Sequence, residues 1–410
     1  MPALAVALAI ELTDELADGA KGAALPLIRH DLGLSYAQVG LLASVPLLVG
    51  GLLELPLGIL ASGPRRRRLA VLGGGIVFIL SLAAVAGARS FAVLLCAFTG
   101  FFPASGAFVS LTQAELMDAW PGRQAAIMAR WDLAGSAGAV AGPLLLILIL
   151  AAGGSWRACY LVLAAVATAT WAASVLRDHG PLAPLNPAEG EAPAGQRASP
   201  GTAAGRSLAA QIRDVAAALR DWPTARWLWL TVVADLLVDG LTGFLALYLV
   251  DVAHLRPELA ALAIAIRLGS ALAGDAALVF VLERVSDLVV LRATAAAAAL
   301  LYPGFLLVPG AAAKLAILAA LSAATAPWYP LLQARLYGSL PGRSSVAVTL
   351  SSAAGLVGGL GPLAVGIIAE RAGLPWALGL LAVVPVVIGV FGAGFALRRP
   401  RARTTDRSDT

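Results

Sequence analysis

The chain is a succession of apolar runs, each about as long as a bilayer crossing. They fall at roughly 3–29, 37–61, 69–87, 91–117, 125–152, 157–176, 225–251, 257–282, 289–309, 313–339, 344–370 and 375–397. A spanning helix uses about 20 apolar residues, so twelve need about 240. The 410 residues are 60% apolar, which covers that need and leaves little over. Only 13% are charged, about half the share usual in soluble domains, and mean hydropathy is +0.86. These values exclude a soluble enzyme, a disordered chain and, despite a pI near 9.6, a nucleic-acid binder. The expected fold is an all-α integral membrane protein with twelve transmembrane helices. The breaks between most runs are short, so sequential helices must pack antiparallel.

Basic residues fix the expected orientation. With both termini cytoplasmic, 19 of the 29 bases fall in cytoplasmic segments: Arg65 to Arg68, Arg123, six between 177 and 226, Arg284, Arg292, Arg343 and five after 397. The opposite loops hold six, among them Arg29, Arg157 and Arg371, and four lie inside spans: Lys21, Arg130, Arg267 and Arg335. The N-terminal run is too long for a signal peptide and lacks its basic start, so it is expected to be the first span. Basic charge is carried by 27 Arg and 2 Lys in an Ala- and Gly-rich chain, a usage associated with GC-rich prokaryotic genomes. The expected location is therefore a prokaryotic plasma membrane.

Residues 178–224 differ in character. Their proline-rich first part cannot bury a core and is expected to be a cytoplasmic linker. Leu208, Ile212, Val215, Leu219 and Trp222 then recur at helical spacing, which suits a helix lying on the membrane surface or a simple helical spacer. The linker separates a six-helix bundle at 1–177 from another at 225–397, and a basic cytoplasmic tail follows at 398–410.

The two bundles repeat each other. At an offset of 221, Asp14, Asp18, Gly19 and Glu54 fall on Asp235, Asp239, Gly240 and Asp275. At 220, Pro121-Gly122-Arg123 falls on Pro341-Gly342-Arg343, and at 219 Gly142-Pro143 falls on Gly361-Pro362. Six helices per repeat imply parallel halves related by an axis along the membrane normal, with a site expected between them near mid-membrane.

Two such halves, a long central linker and a short basic loop between helices 2 and 3 resemble the major facilitator superfamily. That loop reads GILASGPRRR from Gly58, with Ser62 where the family pattern has an acid. The second-half counterpart, VFVLERVSD, keeps an acid–base pair as Glu283 and Arg284. The run GSAGAVAGP from Gly135 to Pro143 is similar to the glycine-proline motif of family antiporters. Helix 4, LLCAFTGFFPASGAF, lacks the arginine that many proton-driven exporters carry there. The opening ELTDELADG resembles bacterial exporter-like members. The resemblance implies alternating access between the halves.

Helix 1 carries the most informative chemistry. Glu11, Asp14, Glu15 and Asp18 share one arc of about 100°, with Lys21 at its edge. Each charge facing lipid would cost about 2.5–3.5 kcal/mol, so this arc is expected to face the bundle interior. Four carboxylates so close cannot all stay ionised cheaply, and at least one is expected to hold a proton near neutral pH. Asp235 and Asp239 repeat the device on helix 7, and Glu54 and Asp275 add an acid to helices 2 and 8. These residues are the candidates for proton coupling or substrate binding. The plainer reading is that they pair with the intramembrane bases, although the central acids outnumber those bases.

Arg130 is expected to pair with Glu115 or Glu54. Glu115 and Arg335, equivalent at an offset of 220, could close a cytoplasmic gate or pair within their own halves. Gly135, Gly138 and Gly142 share one face of helix 5, and Gly355, Gly358, Gly359, Gly361 and Pro362 lie along helix 11. Small residues allow close helix approach. Beyond packing, these faces are expected to rock across the interface between the halves.

The expected function is secondary active transport, with proton-coupled export of a small organic compound favoured. Proton symport or facilitated uptake of a polar nutrient is the alternative; the helix 5 motif favours export and the missing helix 4 arginine weakens that preference. A non-transporting membrane sensor or assembly protein is the rival of another class. No phosphate loop, histidine cluster or nucleophile–base arrangement suggests an enzyme, and no cofactor or metal is expected: His30, His179 and His254 lack ligand spacing. Cys96 and Cys159 lie in apolar runs and are expected to be buried thiols. The expected partners are substrate, protons and lipid, with a monomer as the working form.

Overall fold

The computed structural model of the protein describes residues 2–60, 64–120, 123–176, 213, 217–340 and 344–392. Helices account for nearly all of them, and no strand occurs among the described residues. The first half comprises α1 (Pro2–Leu32), α2 (Tyr36–Leu60), α3 (Pro64–Gly87), α4 (Phe91–Ser105 continuing through Gly106–Ser110 and Leu111–Ala119), α5 (Gln124–Ala151) and α6 (Trp156–Leu176). The second comprises α7 (Trp222–Leu247 continuing as Tyr248–Val252), α8 (Pro257–Leu282), α9 (Asp287–Leu307), α10 (Ala311–Thr325 and Trp328–Ser339), α11 (Ser344–Gly358 and Gly361–Ala372) and α12 (Leu374–Leu380 and Val383–Gly392).

Eleven of these helices, as described, are long and apolar enough to cross a membrane. The other is α1, whose 31 residues span about 46 Å at 1.5 Å each but carry five charges between Glu11 and Lys21. The expected twelve crossings thus match twelve helices, one of them charged at mid-length.

Local sequence sets the helix ends. Ser35 and Gln38 form a reciprocal capping box at the start of α2: the Ser35 N–H donates to Gln38 Oε1 at 2.9 Å, and the Gln38 N–H to Ser35 Oγ at 3.2 Å. Asp221 caps α7 by accepting from the Thr224 hydroxyl at 2.8 Å. Gly33 (φ 62°) and Gly373 (φ 91°) make the tight reversals after α1 and α11, a backbone region that side chains disfavour. Prolines interrupt what the sequence presents as continuous runs. Pro327 lacks the N–H that would carry α10 onward, so the helix breaks before Trp328. Pro103 precedes the wide π turn Gly106–Ser110 in α4.

The loops 33–35, 88–90, 152–155, 253–256 and 308–310, with Gly373, lie at one end of the bundle, hereafter the Gly33 end. The loop 283–286 lies at the other, the Ser286 end. Within the halves, α1 packs along α5, α3 between α4 and α6, and α9 between α10 and α12. Between the halves, α2 packs on α11 and α5 on α8. Lipid is as apolar as leucine, so close packing, rather than hydrophobic transfer, must join such helices. Phe78, Phe101 and Phe108 supply one such cluster between α3 and α4, with the first two rings 4.7 Å apart.

Cys159 is buried as expected, but Cys96 is exposed on an outward groove of α3 and α4, beside Val77, Leu80 and Val93. An apolar run in a membrane protein can face lipid as readily as core, so hydropathy did not decide this thiol's position. The proposed surface helix after the linker falls mostly outside the described residues. Its last turn is helical, with Ala218 packed against Leu340, Val346 and Leu350 and with Leu219 and Trp222 exposed.

Candidate substrate cavity and its closed end

At mid-length, the two halves enclose a cavity of about 1000 Å³. The first half contributes Leu47, Gly50, Gly51 and Leu52 of α2 and Phe102, Ser105 and Ser110 of α4. The second contributes Asp235, Val238 and Asp239 of α7, Arg267 of α8, Trp328 and Tyr329 of α10, and Leu356 of α11. Asp235, Asp239 and Arg267 are the acids and base among these lining residues, so every formal charge stands on the second half's wall. Arg267 Nη2 lies 3.5 Å from the Val238 carbonyl, which aims the guanidinium at the α7 stretch between the two aspartates.

The Gly33 end of the cavity is closed by contacts between the halves. Arg29 Nη1 donates to Asp251 Oδ2 at 2.8 Å, and the Tyr36 hydroxyl donates to the same oxygen at 2.9 Å. The Arg29 guanidinium lies over the Tyr36 ring at 4.0 Å. The Tyr36 N–H donates to Glu370 Oε2 at 2.8 Å, and the Leu363 N–H to Ser44 Oγ at 3.1 Å. Glycines make the approach possible. A Cβ at Gly40 would lie 2.8 Å from the Pro362 carbonyl oxygen, and one at Gly366 would overlap the Tyr36 backbone.

Asp251 reaches across because α7 ends in the π turn Tyr248–Val252. Lys314 anchors that turn from α10. Its buried ammonium donates to the Tyr248 hydroxyl at 3.2 Å and to the Phe305 and Leu306 carbonyls at 2.8 and 3.1 Å, groups left open at the end of α9.

The sequence model of the Major Facilitator Superfamily matches residues 12–343. The chain belongs to the major facilitator superfamily. Superfamily members are secondary transporters, and the chain is a multi-pass membrane protein of that fold. The fold is shared with a bacterial homologue of the human lysosomal transporter Spinster, solved in an inward-facing, unoccupied conformation: TM-score 0.78, 16% identity, 95% of both chains covered. It is shared also with the nucleoside transporter NupG, at TM-score 0.74 and 12% identity over 96% of this chain and 98% of that one. A transporter of the POT family in complex with 5-aminolevulinic acid gives TM-score 0.71 and 14% identity over 94% of both chains. No curated protein matches by sequence.

Within this superfamily fold, the expected acids part company. Asp235 and Asp239 line the cavity, whereas Asp275 is exposed and is not among its lining residues. The side chain of Glu54 lies outside the described residues. In the first half, Asp14 Oδ2 accepts from the cavity-lining Ser105 hydroxyl at 2.9 Å, while its Oδ1 is buried with no hydrogen-bond partner. Glu11 and Glu15 lie against Gly135 of α5, with Trp131 beside Glu11. Asp18 accepts from Lys21 at 2.5 Å, and Lys21 in turn sits 4.7 Å from the centre of the Phe102 ring.

The other charged candidates also separate. Arg335 pairs with Asp287 of its own half, not with Glu115. Arg130 is exposed, and among the described residues no ion pair joins it to Glu115. Glu283 and Arg284 are exposed at the Ser286 end.

The expected rocking face of helix 5 needs correction. Gly135, Gly138 and Gly142 face α1 of their own half, where added Cβ atoms would run into Glu11, the Leu12 carbonyl and the Leu16 carbonyl. Pro143 belongs to the same seam, its ring next to Gly19. On α11 the face divides. Gly358 and Gly361 face Asp235 and Leu236 of their own half, Gly359 meets Leu47 across the interface, and Pro362 touches Gly40. A Cβ at Gly355 would meet nothing. Helical spacing reveals that small residues share a face but not which neighbour covers it.

Arg29, Tyr36, Asp251 and Glu370 carry the closed end, and none stands out among the apolar runs because each lies near a helix end. The repeat held a signal: at an offset of 222, one more than the acids follow, Arg29 falls on Asp251.

Proposed function

We propose that this protein is a proton-coupled exporter of a small organic compound, working by alternating access as a monomer in a prokaryotic plasma membrane. The observation that carries this reading is the mid-depth cavity between the halves, lined by Asp235, Asp239 and Arg267 and closed at the Gly33 end by Arg29 and Asp251. A transporter open alternately to either side needs a site at that depth and a closure that can form and break. Intramembrane carboxylates are the groups that exchange protons for substrate in this scheme: Asp235 and Asp239 in the cavity, and Asp14 and Asp18 behind and beside it. The basic bias of the loops puts both termini, and hence the Ser286 end, in the cytoplasm. The closed Gly33 end is then periplasmic, and this conformation faces inward.

The test is flux in proteoliposomes under an imposed pH gradient, with substrates first found as solutes that cause proton movement in inside-out vesicles. Asp18→Asn or Asp239→Asn should abolish gradient-driven transport without loss of folded protein. If both variants transport normally, the coupling assignment is wrong. Uptake by proton symport is the second reading, favoured by the absence of an arginine along α4, and the direction of labelled-substrate flux separates the two. Absence of any flux or proton movement would support the sensor reading.

A further inference from the structure

The cavity's two walls differ in chemistry. Among the described lining residues, the first half offers Leu47, Leu52, Phe102, glycines and two serine hydroxyls, with no formal charge. The second half offers two carboxylates and one guanidinium. With all three ionised the lining carries one net negative charge. Arg267 lies against the Val238 carbonyl, next in sequence to Asp239, whereas Asp235 stands one helical turn away beside the like-signed Asp239. Asp235 is thus the carboxylate whose charge the cavity itself does not balance.

We propose that the ligand of this cavity is an organic monocation, an amine head on an apolar body, with the head at Asp235 and the body on the Leu47, Leu52 and Phe102 wall. The inference rests on the transport reading above and names its substrate class. An anionic ligand would add a second uncompensated negative charge to a lining that already carries one. A neutral ligand would leave a proton as the only partner that neutralises Asp235 and would not draw on its charge. A zwitterion would bring its carboxylate to Arg267, which already lies against the α7 backbone beside Asp239, and would leave the net charge of the site unchanged. A monocation neutralises the lining with one contact, and its apolar part meets the uncharged wall. A volume of about 1000 Å³ admits a drug-sized molecule.

The experiment is equilibrium binding to the full chain in lipid nanodiscs, corrected with empty discs, using four probes that share one ring system: 1-naphthylmethylamine, 1-naphthylmethanol, 1-naphthylacetate and 1-naphthylalanine. The amine should bind about tenfold or more tighter than the alcohol, the acid and the zwitterion, as a charge-assisted hydrogen bond at Asp235 implies. Asp235→Asn should bring the amine down to the alcohol's affinity, and Asp235→Glu should keep the preference. Equal or tighter binding of the alcohol, acid or zwitterion, or a preference that survives Asp235→Asn, overturns the proposal. If Asp235→Asn does not fold, the ranking on the unaltered protein decides. Labelled flux of another solute without amine preference would sink the substrate class and leave transport standing. Amine binding without flux of any solute would do the reverse.

Discussion

Arg29 and Asp251 are 222 positions apart, stand at equivalent places in the two repeats and meet in an ion pair of 2.8 Å across the interface between the halves. An axis along the membrane normal brings equivalent helix ends face to face wherever they approach it. One basic and one acidic copy then suffice to make a lock. Both side chains are about three-quarters buried, so the pair is shielded from full solvent screening.

Breaking this pair should open the Gly33 end. Arg29→Ala or Asp251→Asn should raise the open population about fivefold, as loss of ~1 kcal/mol implies. Spin labels placed near Gly33 and Gly373 in a cysteine-less background would report the shift as a longer distance. The exchange Arg29→Asp with Asp251→Arg should return the distance towards its original value. An unchanged distance in both single variants would refute the lock.

Lys314 should matter to the same closure from a distance. Lys314→Met leaves the Phe305 carbonyl without the ammonium, while the Tyr248 hydroxyl still donates to the Leu306 carbonyl, at a cost of about 1–3 kcal/mol. The expected result is a lower melting temperature together with partial opening of the Gly33 end, because the π turn holding Asp251 loses its anchor. Lower stability with an unchanged distance would confine Lys314 to capping α9.

The glycine seam between α1 and α5 predicts two opposite outcomes. Gly138→Ala places a Cβ against the Leu12 carbonyl and should destabilise the fold by about 1–3 kcal/mol. Gly22→Ala meets nothing within 4 Å and should be neutral or stabilising by about 0.5–1 kcal/mol, since alanine is the better helix former. Fluorescence-detected size exclusion after heating measures both. Equal behaviour of the two variants would contradict the close approach of α1 and α5.

At the last turn of α1, beyond the apolar run, Arg157 bonds Asp31 and, with Trp156, holds its carboxyl below the usual carboxylate range. A carboxylate with a lowered folded value stabilises the fold above its ordinary value near 4, and that contribution is lost as pH falls through the lowered one. Asp31→Asn should therefore flatten the loss of melting temperature between about pH 5 and pH 3 while changing its pH dependence little from about pH 6 to 8. An acid limb as steep as that of the unaltered protein would show that this bond contributes nothing to it.

Much of the fold was legible because a bilayer is an unforgiving solvent. Every crossing must satisfy its own backbone, so twelve apolar runs translate into twelve helices, and the repeat offset implies two parallel halves. Asp14, Asp235 and Asp239 could be picked out for the same reason: a charge in hydrocarbon needs an explanation. Such reasoning weakens at helix ends, where charges are ordinary. Arg29 read as one more loop base, and Asp251 drew no notice.

Sequence alone thus determined the number of spans, the two halves and the presence of acids inside them, since each follows from local transfer energies and helical spacing. Tertiary structure decided which neighbour each face meets. Helix 1 presents Glu11, Asp14, Glu15 and Asp18 on one arc, yet α5 covers Glu11 and Glu15, Ser105 holds Asp14, and Lys21 takes Asp18. The equivalent pair on α7 opens onto the cavity. A helical wheel gives directions around one axis, whereas burial, pairing and the crossing from Arg29 to Asp251 depend on where the other helices stand.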